Sequence, residues 1–152
     1  MADLTISIKK SDVYEEVAKT TAYIGAKNKL EDGKSAFDQV FVTDADLAMI
    51  ERFYNESVDI LMNLLKRFVA ELNSENGNIN WKLSMSDRFD SNLGTSITRS
   101  ATSFLVNSII GKWCEITAPD KVKEYAENAA ALLTDIKDKV FHKSAPSRVK
   151  PT

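Results

Sequence analysis

Across residues 43–72 apolar side chains recur at threes and fours, through Leu47, Ile50, Tyr54, Val58, Leu61, Leu65, Phe68 and Leu72. A period near 3.6 residues sustained over this length predicts one amphipathic helix. A second stripe through Phe53, Ile60 and Leu64 widens the apolar arc, so the helix should pack against more than one neighbour. Thr43 is a good N-cap, and Asp44 and Asp46 fall in the first turn, where acids complement the helix dipole. At ~1.5 Å per residue the helix would run about 40 Å. That commits the chain to a helical architecture built around one long element.

The remaining segments must cover that arc. Leu4, Ile6 and Ile8 alternate with Thr5, Ser7 and Lys9, the period of a short half-buried strand. A helix should begin near Ser11 or Asp12, with Glu15 as capping-box partner to Asp12. Its inner face would hold Val13, Val17, Thr21 and Ile24, and Gly25 would stop it. Residues 25–36 read as a loop with a turn at Asp32-Gly33, and residues 37–42 as a short apolar edge strand or pinned loop. After the polar run 73–78, Ile79, Trp81, Leu83 and Met85 alternate strictly with Asn80, Lys82 and Ser84, the cleanest strand pattern in the chain.

Residues 86–92 read as a polar connection. Leu93, Ile97, Ala101, Phe104 or Leu105, and Ile109 then mark a third helix, weakened at Gly111 and with 113–117 as a candidate extension. Pro119 is placed as the first residue of a fourth, with a stripe through Val122, Ala126, Ala129, Leu133, Ile136 and Val140. The expected fold is therefore mainly α. It is a four-helix domain with a long central helix and a small two-stranded β element, covering residues 1–142. A basic extended C-terminal tail follows at 143–152, carrying Lys143, Arg148, Lys150, Pro146 and Pro151 without an acid.

A chain of 152 residues, 43% hydrophobic and 28% charged, has the profile of one globular domain able to bury a core without disulfides or metals. Twenty Lys+Arg against 22 Asp+Glu give a net charge of −2. This excludes a wholesale basic surface for nucleic acid and leaves room only for a local patch. Cys114 is the only cysteine, so no intramolecular disulfide can form and Cys-based zinc sites are excluded, which suits a reducing compartment. The opening residues lack the basic and apolar regions of a signal peptide, and no apolar run approaches the ~18 residues that span a bilayer. The expectation is a cytosolic chain with no membrane contact.

Each candidate for chemistry has a structural explanation. His142, the single histidine, sits beside the polar tail and reads as a surface residue rather than a base. Cys114, next to Trp113 at a helix end, reads as a buried structural thiol. Three carboxylate pairs have catalytic spacing: Asp44/Asp46, Asp87/Asp90 and Asp135/Asp138. Helix capping explains the first, a polar loop the second, and a charged helix face with Lys137 and Lys139 the third. Residues 90–94 place a glycine too early for a calcium loop, and the five glycines are scattered singly rather than gathered into a phosphate cradle. The expectation is no enzyme, no cofactor and no metal.

One feature asks for a partner. A strand at 79–85 must pair through its backbone. Residues 4–8 are the internal candidate, and strand addition from another subunit is the alternative. Trp81 is a natural anchor in either case. The candidate interface set is thus Ile79, Trp81, Leu83 and Met85, joined by Lys143, Arg148 and Lys150 of the tail.

The capped helix from Thr43-Asp44-Ala45-Asp46-Leu47 to Leu72, followed by the apolar helix from Ser96-Ile97-Thr98-Arg99-Ser100-Ala101 to Lys112-Trp113, resembles the helical head–tail connector (neck, adaptor) proteins of tailed bacteriophages. The opening, residues 4–27, is similar to small structural proteins encoded in Bacteroidetes phages and prophages. The likeness covers most of the chain at the level of pattern, and the strand at 79–85 departs from the all-helical form. It implies a virion structural protein of the neck, assembled in the bacterial host cytoplasm. Such a protein forms a homo-oligomeric ring between portal and tail around the DNA channel. Its partners would be itself, the portal, and the tail or a second neck protein, with transient proximity to packaged DNA. Arg148 and Lys150 would then form a docking arm, and a mixed-charge surface would let DNA pass without gripping its phosphates. The alternative is a cytosolic helical interaction or regulatory module that dimerises through its long helix. Symmetry separates the two, a closed ring against a two-fold pair.

Overall fold

The computed structural model describes residues 2–27, 46–73 and 75–143. Alternation at both ends of a central strand builds the sheet. β1 (Ala2–Ile8) pairs antiparallel with β3 (Ile79–Met85) from Ala2↔Met85 to Ile8↔Ile79. The expected pairing of these two segments within one chain is present. A third strand, β2 (Val69–Asn73), pairs antiparallel with the other edge of β3, so the order is β1-β3-β2. The small β element therefore has three strands, one more than expected.

Four helices accompany the sheet among the described residues: α1 (Lys10–Lys27), α2 (Leu47–Leu65), α3 (Gly94–Thr117) and α4 (Val122–Phe141). Single 3-10 turns at Ser91–Leu93 and Pro119–Lys121 lead into α3 and α4. The architecture is mainly α, with a long central helix. That helix is α3, 24 residues long, which contacts α1, α2, α4 and β1. Its many hydroxyls are absorbed locally: Thr98, Thr102 and Thr117 each donate to the carbonyl four residues earlier.

The segment expected as one helix over 43–72 divides. Thr43 and Asp44 lie outside the described residues. The helix ends at Leu65, Phe68 N–H bonds back to the Leu65 carbonyl, and Val69–Asn73 turns into β2. Strand pairing wins because β3 would otherwise leave a row of backbone groups unbonded on that side. Glu71 also reaches Lys82 at 3.4 Å across the ladder. Asn76 (φ 56°) and Gly77 (φ 78°) turn the chain back from β2 into β3 in the left-handed region, which favours these two residue types.

Gly25 does not stop α1, which runs through it to Lys27. The start of α1 is capped from afar: Asn78 Oδ1 accepts the Lys10 N–H at 2.9 Å. Residues 28–42, holding most of the expected loop and the short apolar segment, lie outside the described residues.

One face of the sheet holds the core. Leu4, Ile6 and Ile8 of β1 and Ile79, Trp81, Leu83 and Met85 of β3 are all buried, together with Val13, Val17, Ile50, Tyr54, Leu61, Leu65 and the apolar side of α3. The other face carries Asp3, Thr5, Ser7, Asn80, Lys82, Glu71 and Asn73, all exposed. No helix of the described residues is long and apolar enough to cross a membrane.

Candidate functional site

The candidate interface residues separate into three groups. Ile79, Trp81, Leu83 and Met85 are 2%, 1%, 1% and 1% exposed, facing the chain's own helices. They are core residues, and a partner cannot reach their side chains in this fold; this corrects their placement at an interface. The reason is the internal supply of strands, since β1 and β2 satisfy both edges of β3. Lys143 is exposed and forms a single antiparallel bridge with Phe89, which ties the start of the tail to the loop before α3. Arg148 and Lys150 lie outside the described residues.

Among the described residues, what remains open for contact is backbone at the two edges of the sheet. β1 presents a seven-residue edge with no bulge and no proline. β2 presents a shorter edge with an irregularity between Val69 and Glu71. Cross-strand partners share a face, so Leu72, opposite Trp81, belongs to the apolar face. Yet it is 57% exposed. The apolar face thus overhangs the helices at the β2 edge.

Side-chain chemistry gathers at one place that sequence spacing did not reveal. Lys139 Nζ on α4 donates to Ser96 Oγ (2.6 Å), Ser100 Oγ (3.2 Å) and Asp135 Oδ2 (2.6 Å). Ser100 Oγ donates to the same Asp135 oxygen at 2.7 Å. The Lys139 amine, and secondarily the Ser100 hydroxyl, hold the Asp135 carboxyl below the usual carboxylate range. A serine beside a lysine invites a nucleophile reading, but here the amine donates to three acceptors at once and offers the hydroxyls no basic lone pair. The cluster is a polar clamp between α3 and α4. Asp135 is therefore explained by this contact rather than by a pairing with exposed Asp138. Only the one-face spacing of Asp135 and Lys139, four residues apart, hinted at it.

A second cluster surrounds Lys10. Its amine bonds Glu51 Oε1 at 3.0 Å and lies 5.2 Å and 5.8 Å from the ring centres of Tyr14 and Tyr54. Tyr54 Oη donates to the Gly77 carbonyl at 2.6 Å, and burial pushes the phenol up to about 12. These contacts fasten α1 and α2 to the turn before β3.

The other candidates stand apart from one another. Cys114 is fully buried, and burial pushes its thiol up to about 11, away from reactivity. His142 is exposed at the end of α4. Asp90 Oδ1 accepts the Asn92 N–H at 3.0 Å and caps the turn before α3; neighbouring Asp87 is exposed. Asp46 directly precedes α2. No group of three His, Cys, Asp or Glu among the described residues could hold a metal ion. A groove of about 300 Å³ runs between α2, α3 and α4, floored by Phe104, Gly111, Ala126 and Ala129 with Lys112 and Glu115 beside it. Comparison of the chain with models of known families, with characterised proteins and with solved structures found no match.

Proposed function

We propose that the chain is a non-enzymatic structural subunit that works by assembling with its neighbours, of the phage neck kind. It forms a homo-oligomeric ring between portal and tail around the DNA channel of the virion. The observation that carries this reading is the sheet, which among the described residues is covered by helices on one face only, with unpaired outer edges on β1 and β2 and a leucine overhanging one of them. A strand edge left open binds other strands. The exposed face of the sheet mixes Asp3 and Glu71 with Lys82 among neutral polar groups, a surface that would not hold phosphates tightly. Lys143 emerges beside Phe89, and the basic residues Arg148 and Lys150 follow it in sequence as a docking arm for the portal or the next neck component.

Native mass spectrometry of the purified chain, alone and mixed with a phage portal protein, tests the reading. Closed rings, or joining to the portal ring, support it. A stable monomer or dimer that never enters a ring or a virion overturns it. Arg148→Ala with Lys150→Ala should weaken portal joining and leave folding unchanged.

A second reading, a helical module that dimerises through the helix expected over 43–72, draws on α2, the part of that segment that is helical. Met49 and Ile60 stand eleven residues apart, three helical turns, and are 39% and 41% exposed. If this surface pairs copies, Ile60→Glu abolishes a two-fold dimer; if the neck reading holds, the ring survives that substitution.

A further inference from the structure

We infer that copies of this chain join through their sheets, the β2 edge of one accepting the β1 edge of the next. This rests on the reading of the chain as a self-assembling subunit and names the contact.

Direction decides the kind of contact. β1 and β2 both run antiparallel to β3, so they run the same way on opposite edges. A neighbour generated by rotation about an axis along the strands therefore brings its β1 beside β2 in parallel. Every copy supplies one edge of each kind, and the contact repeats until it closes. A two-fold contact would use one kind of edge only. Pairing β1 with β1 would leave Leu72 uncovered, although it belongs to the apolar face and is 57% exposed. Pairing β2 with β2 would leave the longer, regular β1 open. Parallel pairing is slightly weaker per residue than antiparallel. It is nonetheless the arrangement that covers Leu72 and uses both edges.

Side chains select the register. Placing Leu72 beside Leu4 of the next copy would set Glu71 beside Asp3, a like-charge neighbour that destabilises a ladder. Moving by two residues places Leu72 beside Ile6, Glu71 beside Thr5 and Asn73 beside Ser7. Apolar then meets apolar on the inner face, and the outer face carries no like-charge neighbours. A shift of one residue would turn Leu72 to the polar face.

Two variants test it, Thr5→Cys and Glu71→Cys, both on the exposed face of the sheet. Native Cys114 stays, because it is fully buried. Matching far-ultraviolet spectra and melting curves confirm that the variants fold. The expected result with a short bis-maleimide is a covalent heterodimer from the mixture of the two, and none from either alone. Adding Leu72→Lys to the Glu71→Cys variant should remove most of that heterodimer without changing the monomer's melting temperature. Cross-linking of Thr5→Cys alone shows a two-fold β1 contact and overturns the inference, as does cross-linking of Glu71→Cys alone. Intact rings by native mass spectrometry without any cross-link overturn it too, and leave the ring reading standing with copies meeting elsewhere. A chain that stays monomeric at every concentration and with the portal sinks both.

Discussion

Trp81 lies at the middle of β3, opposite Ile6 on one side and Leu72 on the other, and is 1% exposed. An aromatic of this size buries about 150–250 Å², worth roughly 4–6 kcal/mol at ~25 cal/mol per Å². Alanine keeps the Cβ, and a real unfolded chain already shields part of the ring, so the loss is smaller than that. The indole Nε1 adds a second correction. It is buried with no hydrogen-bond partner among the described residues, so the native state already carries a cost of about 1–3 kcal/mol that the substitution relieves. Trp81→Ala should therefore destabilise by about 3 kcal/mol, the low end of the range for such truncations. Trp81→Phe removes the same N–H while keeping one ring, and should cost less than the alanine variant because it leaves a smaller cavity. Urea unfolding followed by far-ultraviolet circular dichroism measures both. A loss below about 1 kcal/mol for Trp81→Ala refutes the burial argument. A loss for Trp81→Phe equal to that for alanine also refutes the burial argument, because both variants lack the indole N–H and differ only in the ring that Phe keeps. A stable Trp81→Ala variant that fails to assemble would return Trp81 to an interface.

Gly77→Ala should lower stability by about 1–2 kcal/mol in thermal melts, because φ is +78° and the new Cβ would lie 2.8 Å from Lys10 Cδ. Tyr54→Phe should cost about 1 kcal/mol by losing the bond to the Gly77 carbonyl. The folded Tyr54 phenol lies near 12 against an ordinary 10.0, so its share of stability is full below 10 and disappears as pH rises through about 12. Alkaline denaturation should therefore narrow the gap between wild type and Tyr54→Phe. The Asp135 carboxyl moves the other way: its folded value lies below the ordinary 3.8, so its contribution is present above that pH and lost as pH falls through the folded value. Asp135→Asn should be less stable than wild type at neutral pH and converge with it in acid melts.

Local periodicity made some elements legible and misled on others. Strict alternation at Ile79, Trp81, Leu83 and Met85, and at Leu4, Ile6 and Ile8, identifies both strands and the face each buries, because a period of two has no helical counterpart. Leu65, Phe68 and Leu72 keep a helical spacing by coincidence, so the same rule runs the helix through β2. The contrary signal was Asn76-Gly77, a pair suited to a left-handed hairpin turn, lying between Val69–Asn73 and Ile79–Met85. The Lys139 clamp could not be read at all, since Ser96 and Ser100 reach Lys139 across 43 and 39 residues. Only the packing of α3 on α4 brings them together.

The two sheet edges differ in how they are guarded, and that difference bears on assembly. Solitary proteins protect an edge strand with bulges, charges, proline or a covering element. β2 has the bulge and Glu71, while β1 has seven regular residues with Asp3 near its start as the only charge. An edge as long and regular as β1 is a hazard to a chain that must stay alone, because any extended segment can add to it. It is an asset to a subunit whose neighbour carries the matching edge. In that case Glu71 serves as a register mark rather than as a barrier, tolerating Thr5 beside it and rejecting Asp3. Reversing that mark is decisive: Asp3→Lys should permit the shifted register with Glu71 and spread the cross-links over two positions, whereas an edge that never meets a neighbour would give no cross-link in either register.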